Sequence, residues 1–138
     1  MSPRPRDPLE VSVIMPCHQR IGSLERAVRS VLASADAVEG EVEIILVDDC
    51  SPIPVREALQ EKLGDPRVRF FRHEANRGPA AARNTGVAQA QFEVVLFTDD
   101  DVVVDELWIE RLARYLADAP RRIGGVGGRV RALGSDLF

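Results

Sequence analysis

The stretch VVLFTDDD at residues 94–101 decides how this sequence folds, because an apolar run leads directly into three carboxylates. Residues 94–98 have the β-branched and aromatic composition of a buried strand. Adjacent carboxylates repel one another, so the triplet Asp99–Asp101 costs stability unless a cation offsets its charge. Hard oxygen ligands suit Mg²⁺ or Mn²⁺, which commonly bridge protein carboxylates to phosphate oxygens. The triplet therefore predicts a metal-dependent site for a phosphorylated ligand.

Strand and helix patterns alternate along the rest of the chain. The remaining strands are predicted at 11–15, where Pro16 ends the strand, at 42–47, at 68–71 and, as the start of a fifth strand, at 123–130. Helices are predicted at 24–32 with Ser23 as N-cap, at 55–63, at 80–90 with Pro79 at the first position, and at 108–116. This alternation predicts an α/β fold in which helices cover both faces of a mainly parallel sheet.

Polar clusters follow three of these strands. Pro16–Gln19 follows the first, Asp48–Asp49 the second and Asp99–Asp101 the fourth. Ligands of parallel α/β sheets bind beyond the carboxyl ends of the strands, so all three clusters fall on the edge where a site is expected. This coincidence indicates a binding site more strongly than any one cluster.

Each cluster also has a simpler interpretation. The triplet resembles a solvated turn capping a helix ahead of Glu106, although three acids exceed what capping needs. The carboxylates of Asp48–Asp49 could accept hydrogen bonds from a nucleobase N–H or a ribose hydroxyl. Equally, they could form an Asx-turn that closes the strand.

The segment 76–86 opens a helix with glycine, which favours anions near Arg83 and Asn84, but an Ala-rich helix with a surface arginine fits equally well. Gly86 inside that helix indicates close packing against a neighbouring backbone.

The two histidines and two cysteines carry weaker indications. His18 follows the first strand, where it would stack on or hydrogen-bond a ligand, although a lone histidine is more often structural or exposed; His73 ranks lower still. Cys17, His18 and Cys50 would approach one another if the first two strands are neighbours. They lack the paired spacing of zinc motifs, so a soft-metal site is not favoured.

Composition bounds the class of protein. The 138 residues allow one domain, and we predict a flexible tail at 1–10 followed by that domain at 11–138. The net charge of −4 and the absence of a basic stripe argue against a nucleic-acid partner. Two cysteines make no disulfide framework, and no apolar run reaches membrane length. We expect a cytoplasmic protein, with any membrane association coming through a partner or a segment outside this chain.

Taken together, the motifs resemble those of the family 2 glycosyltransferases, which have the GT-A fold. VSVIMP at 11–16 is similar to that family's opening strand, and VDDCS at 47–51 to its VDDGS segment. NRG at 76–78 followed by ARNTG at 82–86 is similar to its NxG…ARNxG segment, and FTDDD at 97–101 to its DxD metal motif. Four motifs in the right order across nearly the whole chain make the resemblance specific.

The resemblance implies a Rossmann-like nucleotide-sugar-binding domain with a role for each matched residue. Pro16 and its neighbours would hold the nucleobase with Asp49, Arg83 would lie near the nucleotide, and Asp101 would bind Mn²⁺ or Mg²⁺. The cation would bridge the diphosphate and neutralise the leaving group as a Lewis acid. The implied metal ligands are Asp99 and Asp101. The implied nucleotide-binding residues are Pro16, Cys17, His18, Asp48, Asp49, Asn76, Gly78, Arg83, Asn84, Asp99 and Asp100.

The implied reaction transfers a sugar, with inversion, from a nucleoside-diphosphate donor to an acceptor hydroxyl on a carbohydrate, a lipid-linked molecule or another compound. UDP-sugars are the favoured donors. In the family the carboxylate base and the acceptor-binding half follow the DxD motif. We therefore expect both beyond Phe138 and interpret this chain as the donor-binding half, apparently truncated. His18 and Gln19 replace the family's aromatic residue and Asn, and Cys50 replaces its Gly, so base contacts are expected to differ in detail.

Three other functions are weighed against this one. A nucleotide-sugar-binding module without independent activity remains open, with a partner supplying the base. A phosphoacceptor receiver domain is disfavoured because Lys62, the only lysine, falls in the helix at 55–63 rather than at the end of a late strand. A dinucleotide-dependent dehydrogenase is disfavoured because the first strand leads into PCHQR at 16–20 rather than into G-x-G-x-x-G.

Overall fold

The computed structural model describes residues 6–131, in which four strands alternate with four helices. In chain order the elements are β1 (Leu9–Cys17), α1 (Ile21–Asp36), β2 (Gly40–Asp48), α2 (Val55–Leu63), β3 (Val68–Arg72), α3 (Pro79–Gln89), β4 (Val94–Phe97) and α4 (Trp108–Asp118).

The four strands form one parallel sheet in the order β3-β2-β1-β4. β1 pairs with β2 from Leu9 opposite Gly40 to Cys17 opposite Asp48, and with β4 from Val11 opposite Val94. β1 and β2 are buried along nearly their whole length, which is the pattern of strands covered on both faces. The predicted parallel α/β architecture is confirmed.

Helices cover both faces of the sheet unequally. The larger core joins α1, α2 and α4 to one face, through residues such as Val13, Leu46 and Leu24. The smaller core lies on the opposite face, where Ala82 of α3 packs on Ile14, Ile45 and Val47. The carboxyl ends of the strands are left uncovered by both layers, and the site lies there.

Close approach of α3 to β1 requires a glycine. Gly86 is buried, and a Cβ atom built there would overlap Cγ2 of Ile14. The prediction of close packing at Gly86 is confirmed, but its neighbour is the Ile14 side chain rather than a backbone.

Several predicted boundaries differ from those observed. β1 begins at Leu9, inside the predicted tail, because Leu9 N–H bonds to Glu39 O and the residue packs in the larger core. Pro16 lies within β1 instead of ending it. The backbone N–H and C=O groups of alternate residues of β1, Ile14 and Pro16 among them, point toward β4, as the bond from Thr98 N–H to Ile14 O shows. Pairing with β4 stops at Ile14. The missing N–H of Pro16 therefore costs no ladder bond.

Two further predictions on the elements are wrong. α1 begins at Ile21 with Arg20 as its N-cap residue, and Ser23 lies inside the first turn, donating its hydroxyl to Arg20 O at 3.2 Å. Residues 123–130 form no strand. Four glycines there disfavour extended structure, and no described strand pairs with the segment. Residues 1–5 of the predicted tail and 132–138 of the predicted domain lie outside the described residues.

Candidate functional site

A cleft of about 530 Å³ opens at the carboxyl ends of β1, β2 and β4, within the size range of small-molecule sites. It is lined by Pro16, Cys17, His18, Gln19, Arg20, Asp49, Asn76, Gly78, Pro79, Arg83, Asp99, Asp100 and Asp101. All the predicted site residues except Asp48 and Asn84 are therefore brought together. Asn84 is exposed on α3, outside this lining.

Asp48 is buried and does not line the cleft; its contacts are with the turn after β2, the start of α2 and β3. Its carboxylate accepts hydrogen bonds from the backbone N–H groups of Ser51 at 2.9 Å and Val55 at 3.0 Å, and from Arg72 at 2.6 Å. Burial acts to raise the pKa of Asp48, but the bonds from Ser51, Val55 and Arg72 outweigh it and lower the pKa below its usual range. Of the two sequence interpretations, the one in which the carboxylate closes the strand describes Asp48.

Asp49 is also buried, yet it forms part of the cleft wall. Oδ1 accepts from His73 Nδ1 at 2.8 Å and from Arg77 N–H at 2.9 Å, and Oδ2 accepts from Gly78 N–H at 2.8 Å. Burial acts to raise the pKa of Asp49, but these hydrogen bonds outweigh it and lower the pKa. The result is an ionised carboxylate that also holds the loop leading into α3.

His73 is a residue whose importance the sequence did not reveal. Its ring is buried between Asp49 and Thr85, and its backbone N–H donates to Asp48 O at 2.9 Å. The available indication was its position directly after β3, which places it at the same carboxyl edge as the other polar clusters. Arg20 and Pro79 also line the cleft and are not among the residues predicted for the site.

Two tight turns carry the cleft residues at the ends of β1 and β2. Gln19 has a φ of 64° and Cys50 a φ of 62°, both in the left-handed region. Gln19 N–H donates to Ser51 Oγ at 2.9 Å, and His18 Nδ1 lies 2.9 Å from Asp49 O, so the two turns are bonded to each other. The left-handed backbone at Cys50 explains physically why glycine suits this position.

Arginines partly offset the charge of the aspartate triplet. Arg83 on α3 contacts Asp99 Oδ1 at 2.9 Å, and Arg20 contacts Asp101 Oδ2 at 3.2 Å. Asp100 is half-buried and accepts from His18 N–H at 3.3 Å. Burial raises the pKa of Asp100, and its charged neighbours Asp101 and Asp99 add to that rise. The triplet thus keeps an unsatisfied preference for positive charge.

A hard divalent cation fits the chemistry of these donors. Within residues 6–131 no group of three or more His, Cys, Asp or Glu side chains is arranged to hold a metal. Asp99 and Asp101 are each about half exposed at 53% and 54%, so each keeps carboxylate oxygen accessible to a hard cation beside its contact with an arginine.

The thiols of Cys17 and Cys50 contact different backbone carbonyls. Cys17 is buried with its thiol directed at Val47 O. Burial raises the pKa of this thiol, and the negative charges of Asp48 and other nearby carboxylates raise it further. Cys50 instead contacts Glu74 O.

A family model described as "Glycosyl transferase family 2" matches residues 12–134. The chain belongs to glycosyltransferase family 2. The succinoglycan biosynthesis protein ExoO of Rhizobium meliloti is 36% identical over 100 residues, covering 71% of this chain and 28% of that protein. The pre-mycofactocin glycosyltransferase of Mycobacterium tuberculosis is 32% identical over 139 residues, covering 93% of this chain and 28% of that protein.

Solved structures agree with this assignment. Crystal structures of S. aureus TarS match with a TM-score of 0.69 and 27% identity over 80% of this chain, and one of them is a complex with UDP-GlcNAc. The predicted family and GT-A fold are confirmed. This family 2 chain spans about 28% of the length of each of the two relatives named above. None of the helices in residues 6–131 is both long and apolar enough to cross a membrane.

Proposed function

We propose that this chain is the donor-binding part of a family 2 glycosyltransferase that takes a sugar from a nucleoside-diphosphate donor. The observation that carries the proposal is the convergence of Asp49, Arg83 and the triplet Asp99–Asp101 on one cleft at the carboxyl edge of the sheet. The UDP and UDP-GlcNAc complexes of TarS support a UDP-sugar as the donor.

The cleft divides by chemistry into two regions. Pro16, His18 and Asp49 form a wall of apolar surface, ring nitrogen and carboxylate that suits a nucleoside, with Asn76 and Gly78 beside it. Arg83 and the triplet form the polar region, where a diphosphate meets a guanidinium.

Asp99 and Asp101 would hold Mn²⁺ or Mg²⁺ there, and the cation would supply Lewis-acid stabilisation of the departing nucleoside diphosphate. Arg20 and Arg83, which contact Asp101 and Asp99, would supply positive charge for the phosphate oxygens.

The proposed reaction is a direct displacement. The acceptor hydroxyl oxygen bonds to the anomeric carbon as the bond from that carbon to the diphosphate oxygen breaks, and the acceptor proton passes to a carboxylate base. This inverts the anomeric centre. We assign no described residue to the base, and the acceptor is a hydroxyl of a carbohydrate, a lipid-linked molecule or a similar compound.

Calorimetric titration with UDP, with and without Mn²⁺, tests the donor site. We expect binding that strengthens with Mn²⁺, and we expect Asp101→Asn to weaken the metal-dependent affinity by about tenfold or more, equivalent to roughly 1.4 kcal/mol. Asp105→Asn is the matched control, because Asp105 is an exposed aspartate outside the cleft lining. Unchanged metal-dependent affinity in Asp101→Asn contradicts the proposed metal role. Titrations with GDP and dTDP show whether the cleft prefers a nucleobase other than uracil.

The second candidate is a nucleotide-sugar-binding module without activity of its own. The observation that favours keeping it is that we assign none of residues 6–131 as the carboxylate base. Sugar transfer by the 138-residue chain alone, measured as release of nucleoside diphosphate with an added acceptor, excludes the module.

A further inference from the structure

The His73 ring has both nitrogens engaged by partners on different elements. Nδ1 lies 2.8 Å from Asp49 Oδ1, and Nε2 lies 2.7 Å from Thr85 Oγ1 on α3. The ring is buried and does not line the cleft, whereas Asp49 does. His73 therefore acts on any bound ligand only through Asp49 or through the position of α3.

The direction of these bonds follows from the chemistry of the groups. An ionised Asp49 only accepts hydrogen bonds, so Nδ1 of His73 carries a proton and donates it. With a neutral ring, Nε2 accepts the Thr85 hydroxyl proton. The Asp49 bond and the Thr85 bond thus fix the ring from opposite sides.

The two carboxylate oxygens of Asp49 accept different numbers of hydrogen bonds. Oδ1 accepts two hydrogen bonds, from His73 and Arg77 N–H, while Oδ2 accepts one, from Gly78 N–H. A carboxylate oxygen has capacity for a further donor, so Oδ2 is the atom left to receive an N–H or hydroxyl of a ligand. The bond from His73 keeps Oδ1 turned inward.

We propose that His73 is a positioning residue that orients Asp49 so that Oδ2 faces the nucleoside in the cleft. This inference rests on the proposed function of the cleft. A buried histidine that only supports packing would be the contrasting role. The two roles differ in which of the two ring bonds matters for binding.

Replacing the His73 ring by side-chain amides of two lengths tests the bond to Asp49 and the bond to Thr85 separately. His73→Asn places an amide N–H where Nδ1 lies and retains a donor to Asp49, whereas His73→Gln reaches the Nε2 position and retains a partner for Thr85. Each variant keeps one of the two bonds, and its thermal stability is measured beside its affinity so that a loss of folding is not mistaken for a loss of binding. Thr85→Val removes the second bond from the other side and leaves the donor to Asp49 in place.

UDP affinity in the presence of Mn²⁺ is the first readout. We expect His73→Ala and His73→Gln to weaken binding by about tenfold, the effect of misplacing one charge-assisted hydrogen bond. His73→Asn is expected to restore affinity to within about threefold of the unsubstituted chain, and Thr85→Val to resemble it. Equal affinity of the Asn and Gln variants at equal stability overturns the inference.

Backbone amide chemical shifts of Arg77 and Gly78 give a second readout that needs no ligand, because both N–H groups donate to Asp49. We expect these two shifts to move in His73→Gln and to stay near their original values in His73→Asn. Unmoved shifts in His73→Gln overturn the inference even if no nucleotide binds. Absence of UDP, GDP and dTDP binding by the unsubstituted chain, with the shifts moving as expected, contradicts the proposed function alone.

Discussion

At the scale of single residues, Cys50 shows how the turn after β2 is built. Its φ of 62° places a residue with a Cβ atom in the left-handed region, which costs about 1–2 kcal/mol relative to the right-handed one. Glycine avoids that cost but loses more entropy on folding. The thiol makes one contact with Glu74 O, a weak hydrogen bond at best.

We therefore predict that Cys50→Gly raises the free energy of unfolding by about 0.5–1 kcal/mol. Urea unfolding followed by circular dichroism measures the change. Cys50→Ala is the control, because it removes the thiol while keeping the strained φ. If the alanine variant gains as much stability as the glycine variant, the backbone conformation is not the cause.

The residue scale also shows what a sequence can tell about a site. The positions of Asp49 and the triplet Asp99–Asp101 along the cleft follow from the sequence, because a strand end fixes the edge of the sheet on which the next residues emerge. Asp48 and Asp49 are adjacent in sequence and lie in different surroundings. Asp48 is turned toward α2 and Asp49 toward the cleft, a distinction that depends on the direction of each side chain. The role proposed for His73 depends on its contact with Asp49, which lies 24 residues earlier in the chain, and no local pattern specifies that contact.

At the scale of elements, the contact between α3 and β1 depends on Gly86 and Ile14. Since a Cβ atom at Gly86 overlaps Cγ2 of Ile14, we predict that Gly86→Ala lowers the free energy of unfolding by about 1–3 kcal/mol despite the better helix propensity of alanine. Denaturant unfolding measures this loss, and UDP titration reports whether displaced α3 carries Arg83 away from the cleft.

A double substitution tests the cause of that loss. Ile14→Ala alone leaves a cavity and costs about 2–5 kcal/mol. Combined with Gly86→Ala, it removes the overlapping atoms, so we expect the double variant to be more stable than the sum of the single losses implies, with a coupling of about 1 kcal/mol. Strict additivity would mean that α3 tolerates the extra methyl group elsewhere.

Element boundaries were predicted well where a residue has a strong conformational preference. Gly78 and Pro79 begin α3, as expected from the sequence, and Gly64 follows α2 in the left-handed conformation. The start of α1 was misplaced because serine favours the N-cap position in general, whereas here the helix starts two residues before Ser23. The strand predicted at 123–130 failed because a strand requires a partner, which hydrophobicity alone does not supply.

At the scale of the whole molecule, buried carboxylates link stability to pH. Burial acts to raise the pKa values of Glu43, Asp48 and Asp49, but in each case hydrogen bonds outweigh it and lower the pKa. For Glu43 those bonds come from Gln91 N–H, Ser12 and Arg69. The ordinary pKa values are 3.8 for Asp and 4.5 for Glu. As the pH falls through these values, the carboxylates take up protons in the unfolded chain before they do so in the folded one.

The stability that these carboxylates contribute is therefore fully present at a pH above their ordinary pKa values. It is lost as the pH falls through their lower pKa values in the folded protein. We predict that the midpoint of urea unfolding stays high near neutral pH and drops steeply below about pH 4. Asp48→Asn is expected to cost about 2–4 kcal/mol at pH 7, and its curve converges on that of the unsubstituted chain in acid.

Glu41→Gln, on the exposed start of β2, is the control and should change stability by less than about 0.5 kcal/mol. A deficit of Asp48→Asn that persists unchanged at pH 3 would contradict the link to ionisation.

The order of strands is the part of the whole fold that the sequence did not specify. Alternating strands and helices predict a parallel sheet, but the hydrophobic patterns of β1 and β2 are nearly the same and do not say which strand lies between two others. The structure places β1 between β2 and β4.

That central place of β1 has a consequence for how the chain is made. Val11 pairs with Val94, so one side of β1 has no partner from β4 until that later strand has been synthesised. β1, β2 and β3 are able to assemble earlier, which leaves a row of unpaired N–H and C=O groups along an apolar strand. Until residue 97 is added, this side of β1 is therefore open to association with other chains.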